Sequence, residues 1–308
     1  MNHTRSLTRR LLAASVAACV LALALASAPA AQQAATVARP PADYGPPVDL
    51  VVQGAVDTEL QPLLAALTDK EQIQIAAWTF WRGKLGGKRV VVSRTEVGPM
   101  NASVATTLAI VHFRPRLIVN QGTAGALDPS LKVFDIVAGE ATVDYGAFRS
   151  AHADAGAGVS QSRWTPMSHW LRLEGKERVE FKQFPGDAEA LAAVLGTPNP
   201  RGRVVKGVIG SAFEFNREVD RLVWANRTYG AVSEDMESAF AGGTATGFGV
   251  RFVAVRIISD SEFHSPEFQR IAGEYCAACS SVSSTAWPPC ASTVQEGGLM
   301  RAGLRNYR

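Results

Sequence analysis

Arg116-Leu117-Ile118-Val119-Asn120-Gln121-Gly122-Thr123-Ala124-Gly125-Ala126 starts as an apolar, β-branched run and ends in small and polar residues. Arg116–Asn120 predicts a short buried strand, and Gln121–Ala126 predicts the glycine-rich turn that follows it. The same succession recurs on both sides. Upstream, Val48–Gln53 predicts a strand and Thr58–Leu67 a helix. Arg89–Thr95 predicts a strand, and Gly98-Pro99 opens a helix running to His112, with proline at the first helical position. Downstream, Val133–Val143 is strand-like, and residues 146–185 form an elaborated, irregular loop. Ala188–Leu195 predicts a helix, Val204–Ile209 a strand and Glu214–Trp224 a helix. Ala231–Ser233 is a short strand entering a helix over Met236–Gly247, and Phe252–Ile258 is a strand ending at Ser259-Asp260. Strands alternating with helices make an α/β domain, and no internal repeat competes with that reading.

The chain has 308 residues, of which 47% are hydrophobic and 19% charged, enough to bury a large core. Its formal charge of +3 comes from Arg5, Arg9 and Arg10. Beyond residue 30 the acidic and basic residues balance at 28 each, so no electrostatic argument points to nucleic acid or an anionic membrane. Residues 1–30 join a basic start, an apolar run Leu11–Leu25 and a small-residue exit Ala26–Ala30. That is the layout of a secretory signal peptide, too short for a span of about 20 residues. Cleavage after Ala30 is expected, and Arg9-Arg10 is similar to a twin-arginine signal. Residues 31–47 predict a flexible leader rich in Ala, Pro and Gln. The expectation is an exported protein, periplasmic or secreted, without stable membrane insertion once the signal is removed. Of Cys276, Cys279 and Cys290, two can pair in an oxidising compartment. The five histidines have no ligand-pair spacing, and no metal or cofactor is expected.

Four segments share one geometry, a strand running out into polar or glycine residues: Gly54–Glu59, Gly122–Gly125, Glu234–Glu237 and Ser259-Asp260. In open α/β sheets ligands collect beyond the carboxyl ends of strands, so these segments are expected to converge on one pocket. Three of them bring carboxylates, which suits acid/base chemistry on a neutral, hydroxyl-rich ligand. Taken singly, each has a plainer reading. Asp57, Glu234 and Asp260 could be helix caps, and Gly122 and Gly125 could make a tight turn.

Taken in order, these segments resemble the nucleoside phosphorylase/nucleosidase superfamily, and within it the 5′-methylthioadenosine/S-adenosylhomocysteine nucleosidases. The resemblance rests on Gly54-Ala55…Glu59, Glu96–Ala102, Asn120–Leu127, Lys132–Val137, Gly210–Asn216, Glu234–Glu237 and Arg256–Asp260. It implies a three-layer α/β/α sandwich around a mixed, mostly parallel sheet, with a catalytic domain over 48–275, and a homodimer. It also implies hydrolysis of the N-glycosidic bond of adenine-type nucleosides. Glu59 would activate water and Asp260 would protonate the purine. Glu237 would hold the ribose hydroxyls, with Met236 beneath the sugar and Val97, Thr123 and Ala124 lining the pocket. Phe213 and Phe215 are rivals for the aromatic that stacks on the base. Negative charge beside an oxocarbenium-like sugar and a proton on the leaving group both favour such a reaction.

Asn120 stands where the phosphorylase branch usually carries a phosphate-holding arginine, which favours water as nucleophile over phosphate. A phosphate-dependent phosphorylase and a non-catalytic nucleoside-binding protein are the alternatives. Residues 276–308, with Ser280-Ser281, Ser283-Ser284 and Pro288-Pro289, depart from the long helix expected there. They read as an atypical tail, either diverged and pinned by a disulfide or written in a shifted frame from about residue 275.

Overall fold

The computed structural model describes residues 44–277; the expected signal peptide, most of the leader and nearly all of the tail, with Cys279 and Cys290, lie outside them. In chain order the elements are β1 (Leu50–Gly54), α1 (Asp57–Ala66), β2 (Thr68–Ile75), β3 (Trp78–Leu85), β4 (Lys88–Arg94), α2 (Pro99–Phe113), β5 (Leu117–Ala126) and β6 (Ile136–Asp144). After them come β7 (Phe148–Arg149), β8 (Thr165–Pro166), β9 (His169–Leu171), β10 (Val179–Phe181), β11 (Phe184–Pro185) and α3 (Ala188–Leu195). The last are β12 (Val204–Ser211), α4 (Val219–Tyr229), β13 (Ala231–Asp235), α5 (Ser238–Gly247) and β14 (Arg251–Asp260), with residues 272–277 helical beyond them.

Burial on both faces explains the continuous apolar runs of the central strands. In β1, Leu50 and Val52 pack with Leu60 and Leu63 of α1 and with Ala190 and Val194 of α3. Val51 between them points the other way, to Ala109 and Phe113 of α2 and Ala241 and Ala245 of α5. Helices therefore cover the sheet on two faces. None of the described helices is long and apolar enough to cross a membrane.

The sheet has ten strands and is mixed, but it is not mostly parallel. Among the described residues, five of its strand pairings are parallel and five antiparallel. Five strands also close on themselves: β5 pairs with β14, β14 with β6, β6 with β12, β12 with β13, and β13 again with β5. This closure corrects the expectation of a turn at Gln121–Ala126. Those residues continue β5, because β14 pairs along Gln121–Gly125 and β13 along Gly125-Ala126.

Two other elements differ from the expectation. The β2–β3 hairpin over 68–85 was assigned to no element by its sequence. It turns at Ala76, in left-handed conformation at φ 50°, rather than at the Asn-Gly pair that marks a tight hairpin. The helix expected from Glu214 starts at Val219. Glu214 instead receives both nitrogens Nε and Nη2 of Arg221, whose guanidinium lies 4.5–5.8 Å from the rings of Tyr145, Phe148, Trp164 and Trp224. Residues 212–218 are thereby held as a loop.

The ends of the domain are packed further than expected. Tyr44, within the expected leader, sets its ring 5.3 Å from His112 and 5.7 Å from Phe113, and the Gly45 carbonyl accepts from Arg114. At the other end Cys276 and Ala277 are buried in the core, with the Cys276 thiol against the Val255 carbonyl. Aromatic pairs of this kind contribute about 0.5–1.5 kcal/mol beyond area burial. Tyr44→Ala is accordingly expected to lower unfolding stability by about 1–2 kcal/mol in urea titration; no change would mean that residues 44–47 are a free leader.

Candidate active site

One cleft of about 300 Å³ gathers residues from all four segments. Ala55, Val56 and Glu59 come from the β1–α1 junction, Thr123, Ala124 and Gly125 from β5, Glu234–Glu237 from the β13–α5 junction and Ser259 and Asp260 from the end of β14. Val97 lies at its rim, and the loop before α4 brings Glu214, Phe215 and Asn216. Phe215 thus lines the cleft. Phe213 lies outside it, its ring about 3 Å from where a side chain on Gly98 would begin.

Glu59 is buried and held by four donors. Oε2 accepts from the amides of Ala55 (2.8 Å) and Val56 (3.4 Å), Oε1 from the amide (2.8 Å) and hydroxyl (2.9 Å) of Thr123. Reaching back to Val56, it also caps the first turn of α1. The carboxylate lies flat over Gly122, where a Cβ would stand 2.7 Å from Oε1, so only glycine fits under it. Asp57, by contrast, turns to the surface and pairs with Arg94 at 2.7 Å.

Glu237 opens α5 and accepts from the Gly98 amide at 2.8 Å, at the amino end of α2. Gly98 takes φ 99°, which favours glycine and aims that amide. Burial, then the Asp235 charge, push the Glu237 carboxyl upward to about 7, while Arg256 at 3.8 Å pulls it down. Asp260 follows an irregularity in the β5–β14 pairing at Ser259, the kind of bulge that re-aims a side chain. Burial raises its carboxyl above the usual range, against a hydrogen bond donated by Ser259 Oγ at 2.7 Å.

Beneath the cleft lies a buried cation, from one of the segments that carry the family resemblance but without an expected role of its own. Arg256 is 1% exposed; its Nε donates to Asp235 Oδ2 and its Nη2 to Asn120 Oδ1, each at 2.5 Å. Asp235 also accepts from Ser211 Oγ, from the amides of Glu237 and Ser238 (3.0 Å each) and from the Ser238 hydroxyl. A lone arginine in the apolar run Val253–Ile258 was the available signal, since a buried guanidinium needs a carboxylate partner. Glu214, Asn216 and Phe268 also line the cleft without having been singled out. The outcome is a wall that, among the described residues, has six carboxyl groups and no lysine or arginine. Arg94 and Arg114 are engaged elsewhere, with Asp57 and Glu96 and with the Gly45 carbonyl.

The site thus belongs to an α/β domain whose mixed sheet closes into a ring, with acids at its strand ends. The family model described as the phosphorylase superfamily matches residues 49–284, and the chain belongs to that family. A 5′-methylthioadenosine/S-adenosylhomocysteine nucleosidase of Staphylococcus haemolyticus is 31% identical over 233 residues, covering 74% of this chain and 94% of its own. Among solved structures, the nucleosidase of that name from Neisseria meningitidis, in complex with methylthio-immucillin-A, superposes with a TM-score of 0.62 at 23% identity, covering 77% of this chain and 99% of that one. The futalosine hydrolase of Helicobacter pylori gives 0.62 at 19% identity, covering 78% and 98%. At such identities the structural likeness is one of fold.

Removing one partner of a buried ion pair leaves an uncompensated charge, at about 3–5 kcal/mol. Asp235→Asn is expected to destabilise the protein by that order in denaturant unfolding. A loss below about 1 kcal/mol would mean that Arg256 does not depend on this contact.

Proposed function

We propose that the chain hydrolyses the N-glycosidic bond of adenine-type nucleosides, such as methylthioadenosine and adenosylhomocysteine, to free base and sugar. The observation that carries this reading is the cleft wall, which among the described residues holds six carboxyl groups and no lysine or arginine, only Asp235 and Glu214 being paired from behind with Arg256 and Arg221. Such a wall favours the positive charge that develops on the sugar as C1′–N9 breaks and repels a phosphate dianion. In the reaction, Glu59 takes a proton from the attacking water, whose oxygen bonds to C1′. Asp260 gives its proton to N7, so that adenine leaves neutral. The burial that raises Asp260 supports its holding that proton. Glu237, at the mouth of α5, suits the ribose hydroxyls, with Met236 beside the sugar. Thr123, Ala124 and Val97 would flank it, and Phe215 has the position to stack on the base.

Three further readings go with this one. The two helical faces support a three-layer α/β/α sandwich whose central sheet is closed at one end. The layout of residues 1–30 supports export to the periplasm or beyond. Met100, Val104 and Val111 are exposed along one side of α2, with Val97 exposed just before it, which supports a homodimer. A monomer mass in sedimentation at micromolar concentration would overturn the dimer.

Base release from methylthioadenosine, adenosylhomocysteine, adenosine, inosine and uridine in phosphate-free buffer tests the reaction. Adenine is expected without phosphate. Release only with phosphate, giving ribose 1-phosphate, would make the protein a phosphorylase, and adenine binding without release would make it a binder. Glu59→Gln and Asp260→Asn should each lower kcat by about 10²–10⁴-fold, Asp260→Asn with unchanged thermal unfolding and Glu59→Gln with a lower unfolding temperature, because its new amide group would face donors. Because Asp260 acts protonated, kcat/KM should fall as pH rises through its raised value, and this limb should vanish in Asp260→Asn. A limb that persists would move the acid elsewhere.

A further inference from the structure

Strand register sets two carboxyl groups on either side of one glycine. Gly125 of β5 pairs with Glu234 of antiparallel β13 and with Asp260 of parallel β14. A Cβ on Gly125 would stand 3.3 Å from Asp260 Oδ2 and 3.5 Å from Glu234 Oε1. Both residues line the cleft. Asp260 serves the base in the proposed reaction, yet that reaction gives Glu234 no task.

The partners of Glu234 are neutral. Its Oε2 accepts from the Tyr145 hydroxyl at 2.6 Å and from Asn216 Nδ2 at 2.9 Å, while Asn216 Nδ2 also reaches the Tyr145 oxygen at 2.7 Å. Among the described residues nothing bonds to Oε1. One oxygen is therefore fixed by a three-residue network, and the other is left beside Gly125 and Asp260. An acid without a cation, half-buried in a ligand cleft, is costly to keep for structure alone, because a glutamine would satisfy the same donors.

We propose that Glu234 is a specificity-determining residue that distinguishes the substituent at purine C6, its Oε1 accepting a hydrogen bond from the amine of a 6-aminopurine and repelling the carbonyl of a 6-oxopurine. The inference rests on the nucleosidase reading, in which Asp260 faces N7. N7 and the C6 substituent share one edge of the purine, so two carboxyl groups astride a single glycine can meet both.

Protonation changes what Glu234 can bond. Burial pushes its carboxyl up to about 7; the negative charges of Asp260 and Glu214 add to this, and the donors Tyr145 and Asn216 oppose it. These groups face it from the end of β14, from the loop before α4 and from the end of β6. Arg221 of α4 stands one layer behind, over the Tyr145 ring and bound to Glu214. The Tyr145 phenol is pushed far above its ordinary range, chiefly by burial and then by Glu234, and stays a donor. Ionised Glu234 accepts from an amine; neutral Glu234 donates to a carbonyl. Selectivity for 6-aminopurines should widen as pH rises through neutrality, and 6-oxopurines should enter as it falls.

The test is kcat/KM for adenosine and inosine between about pH 6 and pH 8, with dissociation constants of free adenine and hypoxanthine over the same range. In the unaltered protein both the kinetic ratio and the binding ratio should rise roughly tenfold or more across it. In Glu234→Gln, whose amide both donates and accepts, each ratio should become independent of pH and fall by roughly that factor at the alkaline end. Tyr145→Phe removes a donor to the charged form, so the inflection should move to higher pH. Ratios unchanged in Glu234→Gln, or an inflection unmoved in Tyr145→Phe, would overturn the assignment while hydrolysis stands. Adenine-selective binding that Glu234→Gln abolishes, without base release from any nucleoside, would sustain Glu234 and sink the hydrolase.

Discussion

The Arg256–Asp235 ion pair is the contact on which the rest of the site depends. It joins β14 to β13, and through Asn120 it reaches β5, so three strands of the closed ring meet at one guanidinium. A buried pair of this kind adds little net stability over an apolar substitute. What it supplies is position. The other acceptor sites of Asp235 take the amides that begin α5, which fixes Glu237 against the ring. Glu237 in turn accepts from the amide of Gly98, the residue that precedes α2. A displacement at Arg256 would pass along this chain of contacts to the Glu237 side of the cleft.

Electrostatically the site is inverted. Arg256 lies buried under the floor and Arg221 lies buried behind Glu214, each engaged by its neighbours, while among the described residues no lysine or arginine lines the cleft. Asp235 and Glu214 are thus paired from behind, whereas Glu59, Glu234 and Asp260 face the cleft with neutral hydrogen-bond partners. The differing surroundings of Glu59 and Asp260 suit the separate tasks proposed for them. Four donors converge on the first, whereas burial with a single hydroxyl partner favours the proton on the second.

Much of this was legible in the residues. The apolar runs at Val48–Gln53 and Phe252–Ile258 announce strands because both faces are covered, and the segments after them do converge. The turn assigned to Gln121–Ala126 failed because composition cannot reveal that β13 and β14 both pair there; closure is a long-range property. The β2–β3 hairpin escaped because its turn is an alanine pair, without the usual glycine or asparagine. Glu214 looked like a helical residue, and its capture by Arg221 is a tertiary contact that overrides local preference. Phe213 and Phe215 are two apart in a loop, and no periodicity could tell which would enter the cleft.

The double attachment of Glu59 has a kinetic consequence. Its four hydrogen bonds are all received, so each needs a lone pair on the carboxylate. When water hands over its proton in the proposed reaction, one oxygen becomes a donor and can no longer accept from every group now facing it. Of those groups only the Thr123 hydroxyl can turn round to accept; the amides of Ala55, Val56 and Thr123 cannot. The arrival of the proton and the turn of that one hydroxyl are therefore a single step.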